Sequence, residues 1–179
     1  MRIDRWNIHS LSPEEKICTM QEIPDILANL KCFLPTLVPG VFDGPFPHPG
    51  HLYFIEEAAR RSRVIVVGVE PDEAVTLNKG PNRPLFSAEA RMQMLSHIGL
   101  VNLVFTFEDT PHYSDPNAFD AYVNRYKQLG IMSIAVLDSD PNWEAKIEQA
   151  LAADIMVSRI GGHLPYSTTQ SLRQLGYEE

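Results

Sequence analysis

The stretch Leu37-Val38-Pro39-Gly40-Val41-Phe42-Asp43-Gly44-Pro45-Phe46-Pro47-His48-Pro49-Gly50-His51 decides how the chain is read. Leu37 to Phe42 has the length and apolar character of a short buried strand. A Gly/Pro-rich loop follows, and a helix is expected to open near Gly50 with both histidines at its mouth. Backbone N–H groups at a helix N-terminus favour phosphate. Two imidazoles three residues apart can face the same anion and donate to an oxygen whose charge grows during a reaction. Gly44 and Gly50 let the backbone come close to a bulky ligand. Three other readings compete: a metal-binding pair, a plain turn with two surface histidines, and a dinucleotide loop. The first lacks a nearby cysteine and the acidic partner of His-Glu-x-x-His, and the third lacks Gly-x-Gly-x-x-Gly. The position between strand and helix disfavours the second.

Working outward, further apolar runs fall at Val64 to Val69, Leu103 to Phe107, Ile131 to Leu137 and Ile155 to Val157. Amphipathic stretches separate or follow them: His51 to Arg61, Ser87 to Ile98, Ala118 to Leu129, Trp143 to Ala152 and Thr168 to Leu175. Short, unalternating, β-branched runs between helices indicate a parallel sheet covered on both faces. Right-handed crossovers then predict a doubly wound α/β fold, with ligands beyond the carboxyl ends of the strands. Residues 1–35 read as an N-terminal helical extension to a domain of residues 36–179. In that extension Ser12-Pro13-Glu14-Glu15 has the form of a capped helix start.

With 179 residues, 44% of them hydrophobic, the chain suits one compact domain and excludes wholesale disorder. Fifteen basic against twenty-three acidic residues give a net charge of -8, which speaks against bulk binding of nucleic acid. Contacts to an anionic small ligand must therefore be gathered locally. Two cysteines, Cys18 and Cys32, form neither a disulfide framework nor a metal set. No apolar run reaches the ~20 residues of a membrane helix, and the start lacks the apolar stretch of a signal peptide. The expected location is the cytoplasm, with no membrane partner.

Gly40-Val41-Phe42-Asp43 followed by His48-Pro49-Gly50-His51 resembles the Gly-x-Phe-Asp…His-x-Gly-His signature of the nucleotidylyltransferase superfamily. The likeness is to its cytidylyltransferase-like branch, which includes glycerol-3-phosphate cytidylyltransferase and the adenylyltransferase domain of ADP-heptose synthase. Later segments follow the branch's order. Glu70-Pro71-Asp72-Glu73 resembles a short element after the second strand, and Lys79, Arg83 and Arg91 match basic positions that meet the triphosphate. Val104 to Pro111 resembles a strand exit of the sugar-nucleotide members. Asp138-Ser139-Asp140-Pro141-Asn142-Trp143 is similar to a Gly-Asp-Asp-Trp element facing acceptor and nucleotide. Arg159 and Tyr166-Ser167-Thr168-Thr169 resemble an Arg…Ile-Ser-Thr-Thr motif whose hydroxyls and helix end suit phosphate. Three positions depart: Val41 where some members have Thr, Gly99 where the glycerol-phosphate members have Arg, and Asn102 where Asp is common.

The resemblance implies transfer of a nucleoside monophosphate, CMP first, from a nucleoside triphosphate to a small phosphate monoester, with release of pyrophosphate. His48, His51 and Lys79 would be the catalytic residues. Gly40, Val41, Phe42, Asp43, Gly50, Arg83, Arg91, Arg159, Ser167, Thr168 and Thr169 would bind the nucleotide, with Asp140 and Trp143 at the acceptor. Mg²⁺ would be held mainly through the nucleotide's phosphates, with no protein metal site. A homodimer is the expected assembly. Two alternatives stand beside this reading: an adenylyltransferase that uses ATP to make an ADP-sugar type of product, and a nucleotide-binding regulatory protein without turnover.

Overall fold

The computed structural model describes residues 3, 7–44, 48–108, 117–162 and 176. Five strands form one sheet: β1 (Thr36–Gly40), β2 (Ile65–Val69), β3 (Leu103–Thr106), β4 (Ser133–Leu137) and β5 (Met156–Ile160). Their order is β3-β2-β1-β4-β5, and every pairing is parallel. Successive residues of a strand point to opposite faces, and both faces are apolar. Leu37, Val66, Leu103, Phe105, Ile134 and Val136 join one buried cluster. Their neighbours Val38, Ile65, Val67, Val104 and Ala135 join another. That double burial explains why the strands read as continuous apolar runs rather than alternating ones.

Seven α-helices and a short 3₁₀ helix (Lys31–Phe33) complete the described architecture: α1 (Pro13–Lys16), α2 (Ile23–Leu27), α3 (Pro49–Ala59), α4 (Asp72–Lys79), α5 (Ala88–Ser96), α6 (Ala118–Leu129) and α7 (Trp143–Ala152). Helix α3 buries Phe54, Ile55 and Ala58 on the same sheet face as Leu95 of α5. Helix α6 buries Tyr122, Val123, Tyr126 and Leu129 on the other face, where Ala150 of α7 also packs. Strands β1 and β4 are hydrogen-bonded neighbours, yet the chain leaves them toward opposite faces, into α3 and α7. A crevice opens at such a switch point, beyond the carboxyl ends of the strands.

Among the described residues the predicted elements differ from the observed ones at two informative places. Strand β1 ends at Gly40 instead of Phe42, because Phe42 takes a left-handed backbone (φ 49°) and its ring folds back. A Cβ on Gly40 would lie 2.9 Å from that ring, so a larger residue there would displace it. Helix α4 occupies a stretch to which the sequence reading assigns no element. The helix expected over Thr168 to Leu175 lies outside the described residues.

Residues read as an extension take part in the main core. Ile8, Leu11, Ile23, Leu27 and Leu30 are buried in the same cluster as Leu37 and Val66. Ser12 and Glu15 form a reciprocal capping box at α1, as the Ser-Pro-Glu-Glu motif leads one to expect. Ile17 makes a parallel bridge to Val104, and the Cys18 N–H donates to the Val104 carbonyl at 3.0 Å, covering the β3 edge. Asn102 ties this segment in, accepting from the Ile65 N–H (2.8 Å) and donating to the Ile8 carbonyl (3.3 Å). Asn102 and Gly99 precede β3 at the amino end of the sheet, so these two departures from the branch pattern bear on packing at the end remote from the crevice.

Candidate functional site

A cleft of about 640 Å³ occupies the switch point, within the size range of small-molecule sites. Gly40 and Val41 border it from β1, Leu137 and Asp140 from β4, and His48 and His51 from the start of α3. Pro49 opens that helix, where a missing N–H costs nothing. His48 is the N-cap: its Nδ1 accepts from the Gly50 N–H (3.1 Å) and the His51 N–H (3.3 Å). An accepting Nδ1 carries no proton, so the neutral ring is protonated at Nε2. His51 stacks on His48 with ring centroids 3.6 Å apart and planes 22° apart, and its other neighbour is the Phe42 ring at 5.3 Å.

Both imidazoles are biased towards neutrality. Burial lowers the His48 pKa below the ordinary histidine value. For His51, burial first, then the adjacent His48 and Lys79, bring it down to about 3, against a smaller opposite pull from Asp43. The two rings are therefore N–H donors at neutral pH, able to stabilise a growing oxyanion without a proton transfer. Lys79, the last residue of α4, borders the cleft beside His51. Helix α4 thus ends with its one basic side chain at the histidine end of the cleft.

Several cations and backbone groups expected at the phosphates have other duties. The N–H groups of Gly50 and His51 are taken by the His48 ring, so this helix mouth presents imidazole donors in place of bare amides. Arg83 is 5% exposed, and its Nε meets Asp43 Oδ2 at 2.5 Å, while Asp43 Oδ1 accepts from the Leu85 N–H at 2.8 Å. This pair clasps the segment after α4 to the loop after β1, and both residues line a smaller pocket that continues the cleft. Arg91 has no exposed surface. Its guanidinium donates to the Phe86, Val41 and Glu70 carbonyls and to Asp72. It is a strut that fixes the loops leaving β1 and β2, and no face of it is open to a triphosphate.

Other expectations also shift. Asp140 does border the cleft, with Oδ1 accepting from the Asn142 N–H (2.8 Å) and Oδ2 paired to Lys146. Trp143 instead packs on the core at the start of α7. Arg159 lies over its ring at 4.4 Å and pairs with Asp138, outside the cleft lining. Ser167, Thr168 and Thr169, and the Thr110-Pro111 turn, lie outside the described residues. Val41 borders the cleft, and Phe42 lines the smaller pocket beside it.

Sequence reasoning quoted Glu70 only within a family element, and it missed Lys146 and a group on α6. Tyr122, Arg125 and Tyr126 recur at i, i+3 and i+4, one helix face, and all three border the cleft. That spacing reads as core, which it also is. The available signal was an arginine on an otherwise apolar face.

Among the described residues no three or more His, Cys, Asp or Glu side chains cluster as a metal site. Among the described residues Glu70 and Asp140 carry the carboxylates that border the cleft, and Asp140 pairs with Lys146. On these two carboxylates Mg²⁺ would need a nucleotide's phosphates for most of its ligands. No helix among the described residues is long and apolar enough to cross a membrane.

A model of the family described as cytidylyltransferase-like matches residues 37–157, two thirds of the chain. The chain belongs to this family, one of nucleotidyltransferase-type enzymes. Among curated relatives, the bifunctional protein HldE of Syntrophotalea carbinolica is 32% identical over 106 residues, 58% of this chain and 21% of that protein. HldE of Hydrogenovibrio crunogenus is 42% identical over 73 residues, 40% of this chain and 15% of that protein. The chain therefore spans only a small part of the relatives it matches. Two solved structures share the fold. A lipopolysaccharide core biosynthesis protein from Thermoplasma volcanium has a TM-score of 0.55 at 21% identity, covering 73% of this chain and 98% of its own. A pantoate-beta-alanine ligase from Francisella tularensis, complexed with beta-gamma ATP and beta-alanine, has a TM-score of 0.58 at 15% identity, covering 87% and 72%.

Proposed function

We propose that the chain is a nucleotidylyltransferase that moves a nucleoside monophosphate, CMP in the first reading, from its triphosphate to a small phosphate monoester. The observation that carries this is the stacked, neutral His48–His51 pair beside Lys79 at the switch-point cleft, in a chain of the cytidylyltransferase-like family. A phosphate oxygen of the acceptor attacks the α-phosphorus in line, the bond to the α,β-bridging oxygen breaks, and pyrophosphate leaves. The His48 Nε2–H and the His51 ring N–H donate to the α-phosphate oxygens as charge moves to the leaving bridge. Lys79 neutralises the outgoing phosphates. Such a reaction needs positioning and electrostatic stabilisation, with no covalent protein intermediate.

A second reading takes ATP as donor. It is favoured by the resemblance of the Gly40 to His51 stretch to the adenylyltransferase domain of ADP-heptose synthase. A pyrophosphate-release assay with CTP and ATP, each against glycerol 3-phosphate and a set of sugar phosphates, separates the two. Release with one nucleotide and at least one acceptor is expected. Tight binding without release for every combination would favour the regulatory alternative.

A further inference from the structure

The chain leaving β5 is held at the edge of the cleft by a residue of the histidine helix. Tyr53 lies two residues beyond His51 on α3, and its ring packs against the core cluster in which Phe54, Ile55 and Ala58 are buried. Its hydroxyl donates to the Gly161 carbonyl at 2.6 Å, across 108 positions of sequence. Gly161 and Gly162 follow β5 and are exposed, and Gly162 borders the cleft together with Tyr53. Gly162 has a left-handed backbone (φ 105°), and a Cβ there would lie 2.7 Å from the Tyr53 hydroxyl oxygen. One peptide is therefore fitted to Tyr53 on both sides, by a bond to its carbonyl and by the missing side chain of the residue after it.

Burial gives this support a direction. Helix α3 is anchored by its own apolar face, whereas the two glycines have no side chains to anchor them and the widest backbone freedom of any residue. The hydroxyl thus fixes the turn to the helix. The Ile160 carbonyl accepts from the Asp138 N–H at 3.0 Å, which sets the turn beside the segment after β4. From that segment Ser139 and Asn142 border the cleft. With Tyr53 and Gly162 they make a wall of uncharged polar groups. A phosphate monoester is an anion and calls for cations, whereas the base and ribose of a nucleotide are neutral and hydrogen-bonding, and suit such a wall.

We propose that Tyr53 is a positioning residue for the nucleotide: its hydroxyl holds the Gly161–Gly162 turn as the wall against which the nucleoside portion lies. The proposal rests on the transferase reading above and goes beyond it by naming what shapes the nucleoside's side of the site. Tyr53 acts on binding through the turn and leaves the chemical step to other residues.

The test is calorimetric titration of the full chain with α,β-methylene CTP and α,β-methylene ATP, alongside steady-state pyrophosphate release. Tyr53→Phe keeps the ring and loses the hydroxyl. It should weaken the nucleotide that binds about 5-fold, the usual size of one net hydrogen bond, and raise KM by the same factor with kcat changed less than about 2-fold. Gly162→Ala should weaken the nucleotide about 10-fold or more, through the strained backbone and the contact with the hydroxyl. Made together with Tyr53→Phe, it should cost less than it does alone, because the oxygen that the new Cβ meets is gone. The proposal is overturned by equal nucleotide affinity in wild type and Tyr53→Phe, by a loss carried in kcat with affinity intact, by additive effects of the two substitutions, or by no nucleotide binding to wild type. Pyrophosphate release that Tyr53→Phe leaves unchanged would sink the positioning role and keep the transferase reading. Nucleotide binding that depends on Tyr53, with no pyrophosphate released for any acceptor, would remove the transferase reading and leave the positioning role standing.

Discussion

The His48 ring caps the helix on which the His51 ring is carried, and the two imidazoles lie stacked with centroids 3.6 Å apart. One side chain therefore does two jobs: it fixes the helix start through Nδ1 and orients its own Nε2–H beside the second ring. The pair is a rigid two-donor unit set by the Pro49–His51 turn.

The two jobs of His48 are separable by substitution. His48→Asn supplies another good cap and loses the ring donor, so activity should fall with little change in stability. His48→Ala loses both and should also cost about 1 kcal/mol of stability. His51→Gln should reduce kcat about 10²–10³-fold, the usual size for one lost charge-stabilising donor. Initial rates of pyrophosphate release and urea melts, measured on the same preparations, check all three.

Stability should fall with acid in a window set by these rings. The folded state holds His51 near 3, below its unfolded value of about 6.5, so between those values the unfolded chain binds a proton that the native chain does not. Stability from this group is complete above about pH 6.5 and declines as the pH falls toward 3. At pH 5 the decrease from His51 is about 2 kcal/mol, with a further decrease from His48 in the same direction. Urea unfolding at pH 7.5 and pH 5 measures it, and His51→Gln should flatten the difference. An unchanged slope in that variant would show the acid sensitivity to arise elsewhere.

Arg91 is expected to matter for folding. Replacing it with Met leaves the Val41, Phe86 and Glu70 carbonyls without their donor and removes the partner of Asp72, for an expected loss of about 3 kcal/mol or more. Thermal melts should show this directly. Lys79→Ala gives the contrast: an exposed helix end whose loss should leave the melt nearly unchanged and weaken turnover.

How far the sequence reveals this molecule depends on what each residue's signal is made of. The strand cores were legible because burial on both faces leaves only apolar residues, as in Ile65–Val69. Position 42 was not, since nothing local says that a phenylalanine will adopt a left-handed backbone. Helix α4 was hidden because Asp72 to Lys79 spans about two turns and buries only Ala74 and Val75, too short a stripe to show a helical period. Arg83 and Arg91 were read as phosphate contacts because a sequence shows a cation's presence and hides its burial. Tyr122, Arg125 and Tyr126 escaped notice for the opposite reason: a face that packs on the core at one end opens on the cleft at the other. The histidine pair was legible as a pair, although its stacking and the capping role of His48 required coordinates.

The N-terminal segment belongs to the folding unit. Ile8, Leu11, Ile23, Leu27 and Leu30 are each at most 7% exposed, and burying five such side chains contributes about 10 kcal/mol, comparable to the whole stability of a domain. A chain starting at Thr36 should lack a cooperative melt and bind a hydrophobic dye. A cooperative transition in that truncation would contradict the shared core.

The central claim is that the bond broken lies between the α-phosphorus and the bridging oxygen, at the His48–His51 pair. The most direct measurement follows the label from α-³²P and γ-³²P triphosphate, with the nucleotide and acceptor that support turnover. The expected result places the α label in the acceptor adduct and the γ label in pyrophosphate, with both transfers slowed together in His51→Gln. Appearance of the γ label on the acceptor, or of orthophosphate with a nucleoside diphosphate, would contradict it.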